Sequence, residues 1–305
     1  MKIVFLGTPQ LAVPSLEYLA RKFNVLCAIT QPDKPQGRGH KVQAPPIKIS
    51  AQNLQIPVFQ TVSIRKDTEL IQKLIDMEPD FFITVAFGQI LSQEVLDIPK
   101  FGTINLHASL LPEYRGANPI QRAIVEGKEK TGITTMLTCL ELDAGDILLQ
   151  EEIKITQNMT TKELSQIIAE KGGNLLEKTI LGYSQGKIIP QIQKTEEATF
   201  ANKYSKEDEI LCFDMDAKSF HCKVCGLNRA IVMKNEIPIK ITKTLLLDCN
   251  ATGECGKILK VDKKGIEIQT KRGIILIEKL QPPNKKEMNA FDWANGAQIR
   301  SGMHF

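Results

Sequence analysis

Two patterns along the 305-residue chain predict an α/β protein in two parts: an open, mostly parallel sheet with helices, then a small β-barrel. In the first ~190 residues, short apolar runs alternate with stretches of helical spacing, which is how a sheet with crossover helices reads. In the last hundred residues, short β-rich runs recur every ~8–12 residues with glycine turns between them. Between the two, Pro190–Lys206 is polar and aperiodic, the composition of a linker. The expected boundaries are therefore 1–189, 190–206 and 207–305. The 42% hydrophobic and 24% charged fractions exclude bulk disorder. No run approaches the ~18 apolar residues of a membrane span, and the short apolar N-terminus is no signal peptide, so a cytoplasmic protein is expected.

The elements follow in order. Lys2–Gly7 is an apolar run closed by glycine, a buried strand. Leu11, Val13, Leu16 and Leu19 have helical spacing, and Pro14 suits a first helical turn. Val25–Thr30 completes a βαβ unit. Its first turn, Gly7-Thr8-Pro9-Gln10, lacks the Gly-x-Gly-x-x-Gly spacing that admits a pyrophosphate, so no nucleotide cofactor is expected. Gln31–Lys48 carries four prolines, Lys34, Arg38, His40, Lys41 and Lys48 against one acid, Asp33. It reads as a long loop without helix or strand, either a surface excursion or a basic arm for a polyanion. Helices follow at Lys66–Glu78, Gln93–Leu96, Ile120–Glu126 and Thr160–Leu181, and strands at Phe81–Phe87, Thr103–His107, Gly132–Cys139 and Ile147–Ile155. Beyond the linker, a short helix near Lys218–Asn228 precedes β runs at Ile239–Leu247, Lys257–Val261, Gly265–Thr270 and Gly273–Leu280.

Net charge is +4, and the whole surplus lies in residues 206–305. It fits a solvated face or a module that meets a polyanion. Seven cysteines, an odd number, argue against a disulfide framework. Cys222 and Cys225 form a lone Cys-x-x-Cys, and Cys249 and Cys255 stand too far apart for a good second pair, so buried thiols are expected and no metal.

The densest polar cluster surrounds Thr103–His107. Asn105 and His107 are two apart on a strand and point to one face, near the strand's C-terminal end, where open α/β sheets bind ligands. A carboxamide beside an imidazole suits a carbonyl that becomes an oxyanion; it also suits a satisfied buried histidine. Leu140–Ile147 is an acidic glycine turn whose Asp143 could orient His107, or could serve turn geometry alone. Arg115 could hold substrate or sit on the surface.

Asn105, His107 and Asp143, in this order, resemble the folate-dependent formyltransferases. The strings GTPQLAVPSLEYL, QPDKPQGRG, AFGQILSQEVL, INLHASLLPEYRGANPIQRAI and GITTMLTCLELDAGDILLQEEI, with Leu280-Gln281-Pro282, resemble the branch that acts on methionyl-tRNA. The resemblance covers essentially the first 205 residues and implies a Rossmann-like formyltransferase fold followed by an OB-like barrel. It implies transfer of the formyl group of 10-formyltetrahydrofolate, a co-substrate, to the α-amine of methionine on initiator tRNA. Asn105 would meet the oxyanion, and His107, oriented by Asp143, would move the proton. The same resemblance puts Ser109, Leu110, Leu111 and Pro112 against the folate, with Gly88, Gln89, Ile90, Leu91 and Leu142 lining the pterin pocket. Arg38, and with it Lys41, would reach the tRNA acceptor stem. A monomer without metal or membrane attachment is expected. The alternative is a sugar-nucleotide N-formyltransferase with the same donor. The sequence departs from the family at Cys225–Ile231, which lacks the tryptophan many relatives carry there.

Overall fold

A computed structural model describes residues 1–36, 41–227 and 229–305. The chain forms two compact units. The first comprises Met1–Pro119, Thr131–Lys154 and Leu164–Ala201; the second comprises Ile120–Lys130, Ile155–Glu163 and Asn202–Phe305.

The first unit is built on β1 (Lys2–Gly7), α1 (Val13–Ala20), β2 (Asn24–Thr30), β3 (Lys34–Gln36), β4 (Lys41–Gln43), α2 (Pro46–Asn53), β5 (Val58–Gln60), α3 (Thr68–Asp76), β6 (Phe81–Val85), α4 (Gln93–Leu96) and β7 (Thr103–His107). Past α5 (Pro119–Val125), nearly all of which belongs to the second unit, come β8 (Lys130–Leu137), β9 (Ile147–Lys154) and the long α6 (Thr161–Ser184), which is part of the first unit from Leu164 on. The main sheet has the order β5-β2-β1-β6-β7-β8-β9. Pairing is parallel from β5 to β7, and β8 lies antiparallel to β7. Ile3–Leu6 and all of β6 are buried, as strands covered on both faces must be. Val4, Leu6, Ile29 and Phe82 meet Leu70, Ile71 and Leu74 of α3, whose start is capped by Asp67 accepting from the Leu70 N–H. The strand order reverses between β1 and β6, so the C-terminal ends of β1, β6 and β7 frame the crevice where such sheets bind ligands.

Helix α6 packs closely behind β7 and α1. A Cβ on Gly172 would stand 2.5 Å from Leu106 Cδ2 and 2.9 Å from Ser15 Oγ; one on Gly173 would stand 2.6 Å from Tyr18 Cβ. Only glycine permits that approach.

The stretch 31–48 is not the featureless loop its composition suggests. Strands β3 and β4 pair antiparallel, Lys34 opposite Gln43 and Gln36 opposite Lys41, and α2 begins at Pro46. Three-residue strands are too short to show alternation, and Pro46 sits where a helix tolerates a missing N–H. The root of this arm is pinned. Lys48 Nζ donates to both Asp33 oxygens (3.0 and 2.9 Å) and to Gln60 Oε1 (2.8 Å). Gln60 Nε2 donates to Asp33 Oδ1 and to the Gln31 carbonyl. These bonds, Gln60 first and Lys48 next, hold the Asp33 carboxyl below its ordinary range.

The second unit is a small β domain with α7 (Ala217–Gly226) and α8 (Ala290–Gly296). Its strands are β10 (Ile210–Leu211), β11 (Ala230–Lys234), β12 (Ile237–Asp248), β13 (Ile258–Asp262), β14 (Gly265–Gln269), β15 (Ile274–Gln281) and β16 (Met288–Asn289). They run in the order β10-β11-β12-β15-β14-β13, with β16 on β15. All these pairs are antiparallel except β10 with β11. Strand β12 shifts register three times against β15, and such bulges bend a long strand. Phe220 and Val224 of α7, with Ala290 and Ala294 of α8, close a core of Ile239, Ile241, Ile266, Ile268, Ile275 and Ile277. Sequence periodicity shows neither β11 nor α8: both are shorter than a reliable window, and α8 starts on an Asn289 cap to the Phe291 N–H.

Residues 190–201 belong to the first unit, where they run as a strap. Gln191 and Ile147 exchange two main-chain bonds of 2.8 Å. The Arg115 N–H donates to the Thr199 carbonyl (2.8 Å), and the Ala201 N–H to the Arg115 carbonyl (2.7 Å). Among the described residues, no helix is long and apolar enough to cross a membrane.

Candidate active site

Strand β7 presents Asn105 and His107 near its C-terminal end. Thr84 stands opposite Asn105 on β6 and donates through Oγ1 to Asn105 Oδ1 at 2.9 Å. With its oxygen so used, the amide is left to donate from Nδ2. His107 is buried, and its Nε2 lies 2.9 Å from the Tyr114 carbonyl. A carbonyl only accepts, so Nε2 carries the hydrogen and Nδ1 holds the lone pair of the neutral ring. Nδ1 faces Asp143 Oδ2 at 3.6 Å, an ion pair once the ring gains a second proton. Asp143 Oδ2 also accepts from the Gly116 N–H at 2.8 Å. The structure thus gathers Asn105, His107 and Asp143.

The segment after β7 is fixed by side chains of β8 and β9. Thr134 Oγ1 donates to the Ser109 carbonyl (2.6 Å) and accepts from the Leu111 N–H (3.1 Å). Gln150 Nε2 donates to the Leu111 carbonyl at 2.8 Å. Ser109 Oγ is committed to the Glu113 carbonyl at 2.6 Å. Leu111 is buried, while Leu110 and Pro112 are half-buried.

After β6, Gly88 adopts φ +75°, a left-handed turn. Gln89 Oε1 accepts from the Ile64 N–H and Nε2 donates to the Thr61 carbonyl, both at 2.8 Å, so its side chain ties two loops together. Leu91 packs in the core with Phe87 and Val95. Ile90 and Leu142, in contrast, are 66% and 64% exposed, apolar surfaces suited to an aromatic ring. Arg38 lies outside the described residues. Lys41 opens β4, opposite Gln36.

A model of the family described as formyl transferase matches residues 1–180, and one described as formyl transferase, C-terminal domain, matches residues 203–298. The chain belongs to the formyltransferase family. The methionyl-tRNA formyltransferase of Clostridium perfringens (strain 13 / Type A) is 46% identical over 305 residues, 99% of each chain. That of Clostridium acetobutylicum is 45% identical over 306 residues, again 99% of each. Among solved structures, the fold is shared with WlaRD, a sugar 3N-formyl transferase (TM-score 0.66, 19% identity, 94% of this chain and 99% of that one). It is also shared with HypX from Aquifex aeolicus in complex with tetrahydrofolic acid (TM-score 0.63, 16% identity). That match takes in 96% of this chain, which spans about half of HypX (47%).

Around these residues, the structure adds Thr84 and Gln193 to what sequence reading finds and corrects the place of Arg115. Thr84 is the one hydroxyl in the apolar strand Phe81–Val85, a signal that was available. Arg115 neither sits on the surface nor stands open to substrate: it is 2% exposed, and its Nε donates to Gln193 Oε1 at 3.0 Å. Gln193, buried in turn, donates to the Asp143 carbonyl (2.9 Å) and the Gly145 carbonyl (2.7 Å). No local pattern marks Gln193, because its partners stand about fifty residues away.

Elsewhere, the Cys-x-x-Cys of α7 lies beside His221. His221 Nε2 donates to the Gln157 carbonyl (3.1 Å), and Nδ1 accepts from Thr244 Oγ1 (2.8 Å). Burial pushes the Cys225 thiol up to about 12. Among the described residues, no three or more His, Cys, Asp or Glu side chains are grouped to hold a metal.

Proposed function

We propose that the chain transfers the formyl group of 10-formyltetrahydrofolate to the α-amine of methionine on initiator methionyl-tRNA, for translation initiation. The observation that carries the chemistry is the convergence of Asn105, His107 and Asp143 at the open end of β7. The acceptor is supported by curated relatives of that name that match end to end.

The amine nitrogen attacks the formyl carbon, forming the new C–N bond and turning the carbonyl oxygen into an oxyanion. Asn105 donates from Nδ2 to that oxygen, with its amide orientation set by Thr84. The attacking nitrogen then carries a surplus proton. His107 takes it at Nδ1, the nitrogen that Tyr114 leaves unprotonated, and the imidazolium is balanced by Asp143. Collapse expels N10 of the folate, which receives the proton and leaves as tetrahydrofolate.

Ile90 and Leu142 supply apolar contact for the pterin, and the pinned main chain of Ser109–Pro112 gives it a fixed edge. Residues 1–189 and the strap 190–201 carry the chemistry, and 207–305 hold the tRNA backbone through their surplus of positive charge. Arg38 and Lys41 on the basic arm address the acceptor stem. The protein acts as a cytoplasmic monomer. The test offers charged initiator tRNA and an amino-sugar nucleotide as acceptors, each with 10-formyltetrahydrofolate. Formylated methionyl-tRNA is the expected product; formylation of the sugar alone overturns the assignment.

A further inference from the structure

His107 has two partners, and both sit in backbone conformations that L-residues rarely adopt. Tyr114, whose carbonyl receives Nε2–H, has φ +61°; Asp143, which faces Nδ1, has φ +51°. Such conformations are costly and persist where their surroundings over-determine them. Here one segment does so for both. Thr199 Oγ1 accepts from the Tyr114 N–H at 2.8 Å, and the Thr199 N–H donates to the Pro112 carbonyl at 3.3 Å. Six residues earlier, Gln193 spans the Asp143 turn, donating to the carbonyls of Asp143 and Gly145, while Arg115 Nε fixes its oxygen. Donor and acceptor ends of that amide are therefore all committed.

We propose that Gln193 and Thr199, on a segment that reads as a linker, are positioning residues for formyl transfer: the strap they stand on sets His107 between its two partners. They touch no reacting atom. They act by holding the Tyr114 carbonyl and the Asp143 carboxylate where the imidazole needs them, and displacements of about 1 Å at such a group can cost ~100-fold in rate. The inference rests on the reading above.

The test measures formylation of charged initiator tRNA by the full chain. Gln193→Glu keeps the volume and the Arg115 bond but aims carboxylate oxygens at two carbonyls. Thr199→Val removes the acceptor at constant shape, and Thr199→Ser restores it. Gln193→Glu and Thr199→Val are expected to lower kcat roughly 10–100-fold, with KM for the folate nearly unchanged; Thr199→Ser returns most of the rate. In an Asp143→Asn background, Gln193→Glu should add little further loss, because both changes act through one group. Wild-type kcat in Gln193→Glu and Thr199→Val overturns the proposal. So does a loss that is additive with Asp143→Asn and falls on KM and thermal midpoint together, the mark of a merely structural part. A wild-type chain inactive on methionyl-tRNA overturns the functional reading instead. The Thr199 pair decides the matter should Gln193→Glu fail to fold.

Discussion

His107 and His221 are built alike up to one atom. Each is buried, and each donates from Nε2 to a main-chain carbonyl, Tyr114 for one and Gln157 for the other. The same tautomer is therefore fixed in both. At Nδ1 they part. His221 receives a hydroxyl hydrogen from Thr244 at 2.8 Å and is a satisfied neutral ring. His107 instead faces a carboxylate at 3.6 Å, across a gap that a second proton would close. The difference teaches that burial and orientation do not make a histidine chemical. A nitrogen left open toward a countercharge does.

The sharpest way to break this comparison is to remove each ring. We predict that His107→Ala lowers kcat for methionyl-tRNA formylation by about 10²–10⁴, while His221→Ala, assayed below its melting temperature, keeps the wild-type rate. Asn105→Ala belongs with His107→Ala, at ~10²–10³ for a lost oxyanion donor. Equal losses from the two histidine variants would erase the distinction. Next in size is Asp143→Asn, which keeps an acceptor for the Gly116 N–H but removes the charge facing Nδ1. A fall in kcat of roughly 10–100-fold is expected, by the loss of about 1.4–2.7 kcal/mol of transition-state stabilisation.

His221 should declare itself in stability. Its removal strands the Gln157 carbonyl and Thr244 hydroxyl, a cost of about 1–3 kcal/mol, to be read by chemical denaturation of the full chain. Its pH dependence has a definite sign. Burial depresses the folded-state pKa below the ordinary value of 6.5, so the unfolded chain binds the proton first. Stability from this site is present above pH ~6.5 and declines as pH falls through that value toward the folded pKa. The thermal midpoint should drop between pH 7.5 and 5.5, and less so in His221→Ala. An equal drop in that variant assigns the effect elsewhere. The smallest effect concerns thiols. Burial lifts Cys27 and Cys225 to about 12, so both should label far more slowly at pH 8 than exposed Cys139, Cys249 and Cys255. Mass spectrometry of an alkylation time course checks this.

Much of the fold lay open in the sequence because its strands are either buried runs, as at Phe81–Val85, or separated by glycine turns. Asn105 and His107 were legible as a pair because strand periodicity alone puts them on one face. The surroundings of that pair were not. Thr84 reaches Asn105 from the neighbouring strand, 21 positions away, Thr199 reaches Tyr114 over 85 positions, and Gln193 reaches Asp143 over 50. Their segment looks like a linker because its polar groups serve distant carbonyls instead of a local repeat. Strands β3 and β4 hid for another reason: three residues cannot display a period of two.

Helix α6 bears on all of this from behind. A helix can usually be strengthened by turning a glycine into alanine, worth up to ~1 kcal/mol in helix propensity. At Gly172 and Gly173 the ordinary remedy becomes a poison. The added methyl at Gly172 would drive into Leu106, the residue between Asn105 and His107. Any route to a hardier version of this protein that scores helices one at a time will select that change and disable the strand it leans on. Two missing methyl groups behind β7 thereby bound which stable sequences can keep that strand in place.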